Sequence, residues 1–309
     1  MIVVVCPGQG SQTPGFLSPW LERDGVRARL EQLSDAAEVD LVAHGTVSDA
    51  DIIRDTSVAQ PLIVAASLVA WEALGDATAG VGGVAGHSVG EIAALVASGV
   101  LDAGSGMRLV GIRGRAMAES ASRASTGMSA VVGGDEAEVL AKVAEHGLSP
   151  ANYNGGGQLV VAGPLEALAA LASDGPRGAR VIPLQVAGAF HTDYMAPARD
   201  ALQAAVDDLA AAGRVSDPRL RLWTNRDGTT VDDGARAVEL LVGQVASPVR
   251  WDLCMASFAE QGVTGIVELA PAGALTGLAK RALRGVPSVA IRTPDDLAAA
   301  ASLLSGDAS

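Results

Sequence analysis

Val81-Gly82-Gly83-Val84-Ala85-Gly86-His87-Ser88-Val89-Gly90-Glu91-Ile92-Ala93-Ala94-Leu95-Val96-Ala97-Ser98 runs from a short apolar, glycine-rich stretch into a segment with helical spacing. Strand, sharp turn bearing a serine, then helix is the layout of a nucleophile elbow. The glycines at 86 and 90 suit a turn in which helix and strand pack closely, where a Cβ would obstruct. In such a turn Ser88 Oγ stands exposed above the sheet. The backbone N–H of Val89 and the positive end of the following helix face the charge that develops when the serine attacks an acyl carbon. In a chain with 37 glycines among 309 residues, a glycine-rich helix entry would read the same way over five residues. The decision rests on the surrounding chain.

Working outward, Ile2–Val5 is a β-branched run ending at Pro7-Gly8-Gln9-Gly10, a buried strand feeding a turn. Pro61–Leu74 has helical spacing, with Pro61 in the first turn and Gly75 as the stop. Arg108–Ser120 predicts a second helix. From Gly127 the texture changes: strand over Met128–Val132, helix over Glu136–Glu145, strand over Pro150–Tyr153, strand over Gln158–Ala162, helix over Leu165–Ala172, strand over Arg180–Val186. That β-α-β-β-α-β order is the order of a ferredoxin-like unit. The chain therefore divides into a discontinuous large α/β domain, 1–124 with 189–309, and an inserted small subdomain, 125–188. Further strands are expected at Leu220–Trp223, Gly265–Leu269 and Ser288–Ile291, and fraying from Ser305.

Composition narrows the function. With 49% apolar and 18% charged residues the chain reads as globular protein. A net charge of −13 and only 22 Lys plus Arg argue against nucleic acid, whose phosphates demand clustered cations. No run approaches the roughly 20 apolar residues of a membrane span. Cys6 and Cys254, far apart and each in an apolar segment, fit reduced thiols, and a cytoplasmic protein is expected.

A serine nucleophile needs a base within hydrogen-bond reach, and the chain has four histidines. His87 adjoins Ser88, so the two side chains should diverge, which suits a packing role. His44 and His146 each precede a glycine at an expected helix C-terminus, where an imidazole caps carbonyls and faces water. His191, in Gly188-Ala189-Phe190-His191-Thr192, lies where the inserted unit hands back to the main domain, a favoured place for a cleft. Elimination favours His191. No Asp or Glu between Ser88 and His191 carries a strand-end signal, so a Ser–His dyad with a carbonyl holding the imidazole is expected in place of a triad.

These residues resemble the malonyl-CoA:acyl-carrier-protein transacylase family. The likeness is carried by Pro7-Gly8-Gln9-Gly10-Ser11-Gln12, Gly86-His87-Ser88-Val89-Gly90-Glu91, Arg113-Gly114 and Ala189-Phe190-His191. Asn152-Tyr153-Asn154, Gln244 through Pro248, and Glu268 through Pro271 with Gly273 match as well, in order along essentially the whole chain. The resemblance implies an α/β fold with a hydrolase-like parallel-sheet core and an inserted ferredoxin-like α+β subdomain. It implies a ping-pong reaction through a malonyl-serine ester, from malonyl-CoA to the phosphopantetheine thiol of acyl carrier protein, in fatty-acid or polyketide synthesis. It implies Ser88 and His191 as the catalytic pair, the N–H groups of Gln9 and Val89 as the oxyanion hole, and the Gln244 carbonyl as the group orienting His191. No metal and no cofactor beyond the coenzyme A thioester is expected.

Arg113 is the candidate for the malonyl carboxylate, which a guanidinium can grip with two parallel bonds; its neighbours Val110 and Ile112 are apolar. Phe190 is expected to narrow the space at the acyl α-carbon, and Asn154 to line the cleft or to serve a turn. Lys280-Arg281-Ala282-Leu283-Arg284 is the densest basic cluster, with 281 and 284 on one helical face, and is the candidate for docking an acidic carrier protein. The competing activities are an acyl thioester hydrolase of the same fold, a trans-acting acyltransferase loading a polyketide synthase, and a non-catalytic carrier-binding module.

Overall fold

A computed structural model describes residues 1–306. The strands, in chain order, are β1 (Ile2–Cys6), β2 (Val81–Gly86), β3 (Thr126–Gly133), β4 (Ser149–Gly155), β5 (Gln158–Pro164), β6 (Ala179–Pro183), β7 (Arg221–Trp223), β8 (Thr230–Val231), β9 (Val249–Arg250), β10 (Gly265–Glu268) and β11 (Ser288–Ala290). Near-continuous apolar runs such as Val3–Cys6 suit strands covered on both faces, the condition of a parallel sheet. The larger sheet has the order β11-β10-β1-β2-β7-β8 and is parallel except for β8, which runs antiparallel to β7 at the edge. Val4 lies opposite Val84 on one side and Val267 on the other. Cys6 pairs with Gly86, so the loops leaving β1 and β2 emerge side by side at the carboxyl ends of the central strands, where α/β sheets place their sites. The His87 N–H donates to the Cys6 carbonyl at 2.9 Å and fastens the two loops together.

The second sheet has the order β6-β3-β5-β4-β9. Its first four strands carry the ferredoxin-like connectivity, with the helices Glu136–Glu145 and Leu165–Ser173 as crossovers. Side-chain alternation divides its faces. Val131, Leu159 and Val161 pack with Val139, Val143, Leu168 and Leu171 into a core of their own. Met128, Ala130, Val160 and Ala162 face the other way and join the main core. The fifth strand, β9, was not expected; two residues long, it pairs parallel to β4 and ties the sheet to the rest of the chain.

Several boundaries differ from expectation. The helix expected from Pro61 spans Thr56–Ala73, because Asp55 caps it by accepting the Ser57 N–H at 2.8 Å; Pro61 lies inside and forfeits one backbone bond. This helix is apolar enough to cross a membrane by length and composition, yet 72% of it is buried in the interior. The helix expected from Arg108 spans Ala103–Ser122, capped by Asp102. β6 stops at Pro183, beyond which Leu184 and Val186 turn in to line a cavity together with Ser88. The end expected to fray reaches past the described residues; within them, Ser305 closes the helix Leu297–Ser305 on the left-handed Gly306. Cys6 and Cys254 are buried free thiols, both pushed up by burial.

Candidate active site

The elbow forms because β2 ends at Gly86 and the helix Gly90–Ala97 begins four residues on. Ser88, between them, takes φ +53, a left-handed angle that non-glycine residues seldom adopt and that marks strain at functional turns. Hydrogen bonds on both sides hold it there. Its N–H donates to Asn225 Oδ1 at 2.8 Å, and its carbonyl accepts from Gln244 Nε2 at 3.1 Å. Asn225 is fully buried and fixed in turn by donating from Nδ2 to the Gly86 carbonyl at 2.7 Å.

His191 reaches the serine. Its Nε2 lies 2.7 Å from Ser88 Oγ, and its Nδ1 lies 2.9 Å from the Gln244 carbonyl oxygen. With Nδ1 donating to that carbonyl, Nε2 is the free lone pair that can accept the hydroxyl proton. His191 also carries a left-handed φ, +61. Burial, reinforced by the Arg113 charge, pushes the imidazole down to about 3, so it stands neutral over the physiological range. Both halves of a Ser–His dyad are present.

Ser88, His191 and Arg113 line one cavity of about 80 Å³ with Gln9, Val89, Phe190 and others. The N–H groups of Gln9 and Val89 have no hydrogen-bond partner among the described residues. Arg113 is 1% exposed. Its Nη1 donates to Gln60 Oε1 at 2.7 Å and its Nη2 to Gln244 Oε1 at 2.8 Å, while Nε is buried with no partner among the described residues. Among the described residues no carboxylate forms an ion pair with it. Burial brings its guanidinium down to about 10, still a cation at neutral pH. Both amide oxygens that hold it are neutral, so its charge remains available to an incoming anion.

The family model described as the acyl transferase domain matches residues 3–297. The chain belongs to the acyl transferase family. It is 51% identical over 300 residues to the malonyl CoA-acyl carrier protein transacylase of Mycobacterium tuberculosis, spanning 96% of this chain and 98% of that protein. The crystal structure of MCAT from Mycobacterium tuberculosis matches with a TM-score of 0.93 at 50% identity, over 97% of this chain and 99% of that one. A type II PKS acyl-carrier protein in complex with its malonyl-transacylase matches with a TM-score of 0.89 at 30% identity, over 98% and 99%.

Within this acyltransferase fold the other expected site residues fall in three places. Phe190 is 5% exposed and lines the cavity. Asn154 does not line it: its amide is engaged by His87 Nε2 at 2.9 Å and Gln158 Oε1 at 3.0 Å. Asn152, two residues earlier on β4, lines the cavity instead, its buried Oδ1 without a partner among the described residues. His87 also lines the cavity wall, its ring edge-on to Trp251. Lys280, Arg281 and Arg284 are exposed, but the helix ends at Ala282; Leu283 leaves helical angles and is buried, so Arg281 and Arg284 do not share a helical face. His44 sits inside the helix Leu41–Thr46 and bonds Ser48, because the following Gly45 is buried against Leu17 rather than ending the helix. His146 is the C-cap of Glu136–Glu145.

Three polar residues of the site were not foreseen: Gln60, Glu91 and Asn225. Each is buried, at 1%, 6% and 0% exposure. A signal existed for two of them. Gln60 interrupts an apolar helix face, and Glu91 opens the helix directly after the elbow, where a carboxylate also meets the positive helix end.

Proposed function

We propose that this protein transfers malonyl from malonyl-CoA to the phosphopantetheine thiol of holo acyl carrier protein through a malonyl-serine ester. His191 Nε2 takes the Ser88 proton as Oγ bonds to the thioester carbon, and the Gln9 and Val89 N–H groups receive the developing oxyanion. Collapse breaks the C–S bond, and the imidazolium returns its proton to the departing coenzyme A thiolate. In the second half the carrier thiol gives its proton to His191 and attacks the ester carbon; collapse releases Ser88, which regains the proton. Arg113 receives the malonyl carboxylate, and Phe190 bounds the acyl pocket. The reading requires no metal and no cofactor besides the thioester substrate. It also treats 125–188 as a subdomain inserted into a large domain of 1–124 and 189–309, supported by the separate core on one face of the second sheet.

One observation carries the substrate class: a buried guanidinium, with no carboxylate ion-paired to it among the described residues, lines the same small cavity as the Ser88–His191 pair. Malonyl-CoA alone should add one malonyl group to the protein, and holo carrier protein should then remove it, both followed by intact mass. Ser88→Ala should abolish the adduct, and Arg113→Ala should depress malonyl loading while sparing acetyl loading. An adduct persisting in Ser88→Ala, or release of free malonate in place of malonyl-carrier, would overturn the reading.

A further inference from the structure

Glu91 is a buried carboxylate for which the proton transfers have no use. Its Oε1 accepts the Asn225 backbone N–H, and its Oε2 accepts Gln244 Nε2. The Gln244 amide lies between Glu91 and Arg113. Its Nε2 end faces oxygens only: Glu91 Oε2, the Ser88 carbonyl at 3.1 Å and Asn225 Oδ1 at 3.2 Å. Its Oε1 end faces Arg113 Nη2 at 2.8 Å. Turning the amide over would set NH₂ against guanidinium and oxygen against three oxygens, losing every one of these bonds. Had Glu91 touched Arg113 directly, it would have occupied and neutralised the cation. With one amide interposed it orients the guanidinium and leaves the charge free.

We propose that Glu91 is a positioning residue for carboxylate recognition: through Gln244 it fixes the amide oxygen that aims Arg113, and through Asn225 it holds the Ser88 elbow in register with that cation. The proposal rests on the malonyl reading above. Its chemical content is that the position needs two acceptor oxygens, one for the Asn225 N–H and one for Gln244 Nε2. The ionised carboxylate, which prevails above the pH of about 8 to which burial raises Glu91, has both; a glutamine has one, so Glu91→Gln must turn an NH₂ toward one of these donors. The buried relay then loses a charge-assisted bond, and Arg113 loses its aim.

The test is a double-mutant cycle on the rates of Ser88 loading, kcat/KM, from malonyl-CoA and acetyl-CoA, measured above about pH 8 where Glu91 is ionised, in wild type, Glu91→Gln, Arg113→Ala and the double variant. Acetyl has no carboxylate, so the malonyl-to-acetyl ratio isolates carboxylate recognition from general damage. Glu91→Gln should lower that ratio about tenfold, the weight of one hydrogen bond to a charged group. In the Arg113→Ala background it should lower it no further, because Glu91 acts through Arg113. Equal losses for the two donors, or a full further loss of the ratio in the double variant, would make Glu91 structural and overturn the proposal. If Glu91→Gln fails to fold, Gln244→Met keeps the backbone carbonyl that holds His191 and removes the relay; an unchanged ratio there overturns the proposal equally. A wild-type enzyme with no preference for malonyl would instead sink the substrate reading, an outcome visible before any variant is compared.

Discussion

The proposed role of His191, taking a proton from Ser88, requires a neutral imidazole, and burial supplies it by lowering the ring to about 3. Loading of Ser88 from malonyl-CoA should therefore show no acid limb near the ordinary histidine pKa when followed by quenched flow down to about pH 5. An inflection near the ordinary value would mean that the imidazole is solvated in the working enzyme. The same depression has a stability consequence of definite sign. Below 6.5 the unfolded chain binds a proton that the folded His191 refuses, so stability falls as pH drops from 6.5 towards 3. Glu91 acts in the opposite sense: burial raises it to about 8, so its contribution is present below 4.5 and is lost as pH rises towards 8. Glu91 remains in His191→Gln, so the difference between that variant and wild type isolates the histidine. Between about pH 7 and pH 5 the wild-type Tm should fall more steeply than that of His191→Gln. Parallel curves would contradict the buried, neutral imidazole.

At the scale of elements, the elbow depends on how closely its helix sits against β1. A Cβ built on Gly90 would lie 2.2 Å from the Cys6 carbonyl oxygen, and backbone atoms on neither side can yield. Gly90→Ala should cost about 1–3 kcal/mol or more by urea denaturation, as overpacking of rigid neighbours does. Gly277, in the helix Ala274–Ala282, has open space around its Cβ position, and Gly277→Ala should stabilise by up to about 1 kcal/mol on helix propensity alone. Equal effects at the two glycines would show that close approach is not what Gly90 serves. The elbow was legible because its constraints are local: strand, glycine, serine, glycine and helix are contiguous in Val81–Ala97. The ferredoxin-like order was legible for the same reason, each strand and helix carrying its own periodicity. Helix starts were read late where the cap lies outside the apolar run, as Asp55 and Asp102 do. The two-residue β9 carries no periodicity at all and exists through its partner β4. Gln60, Glu91 and Asn225 escaped notice because what makes them functional is convergence from distant segments, Gln60 and Gln244 meeting at Arg113 and Glu91 and Asn225 meeting behind Ser88.

For the molecule as a whole, charge poses a problem for a partner that is itself acidic. The chain carries −13, and long-range repulsion should slow its encounter with an acidic carrier protein unless cations are gathered at the point of contact. Lys280, Arg281 and Arg284 are exposed, and among the described residues no carboxylate forms an ion pair with any of them. Arg281 lies against Gly156 in the β4–β5 hairpin, so the end of the helix Ala274–Ala282 meets the second sheet there. The helix ends at Ala282 and Leu283 is buried, so Arg284 follows a turn and does not continue the helical face of Arg281. Charge reversal at Arg281 and Arg284 should raise the KM for carrier protein several-fold and leave loading of Ser88 from malonyl-CoA unchanged, since neither side chain lines the catalytic cavity. Salt should raise the wild-type KM and flatten the difference between wild type and the reversed variant, because exposed charges are screened beyond roughly 8 Å at physiological ionic strength. A KM for carrier protein indifferent to both the reversal and the salt would place docking on another surface. A loss of Ser88 loading in the reversed variant would show instead that these arginines serve the thioester substrate.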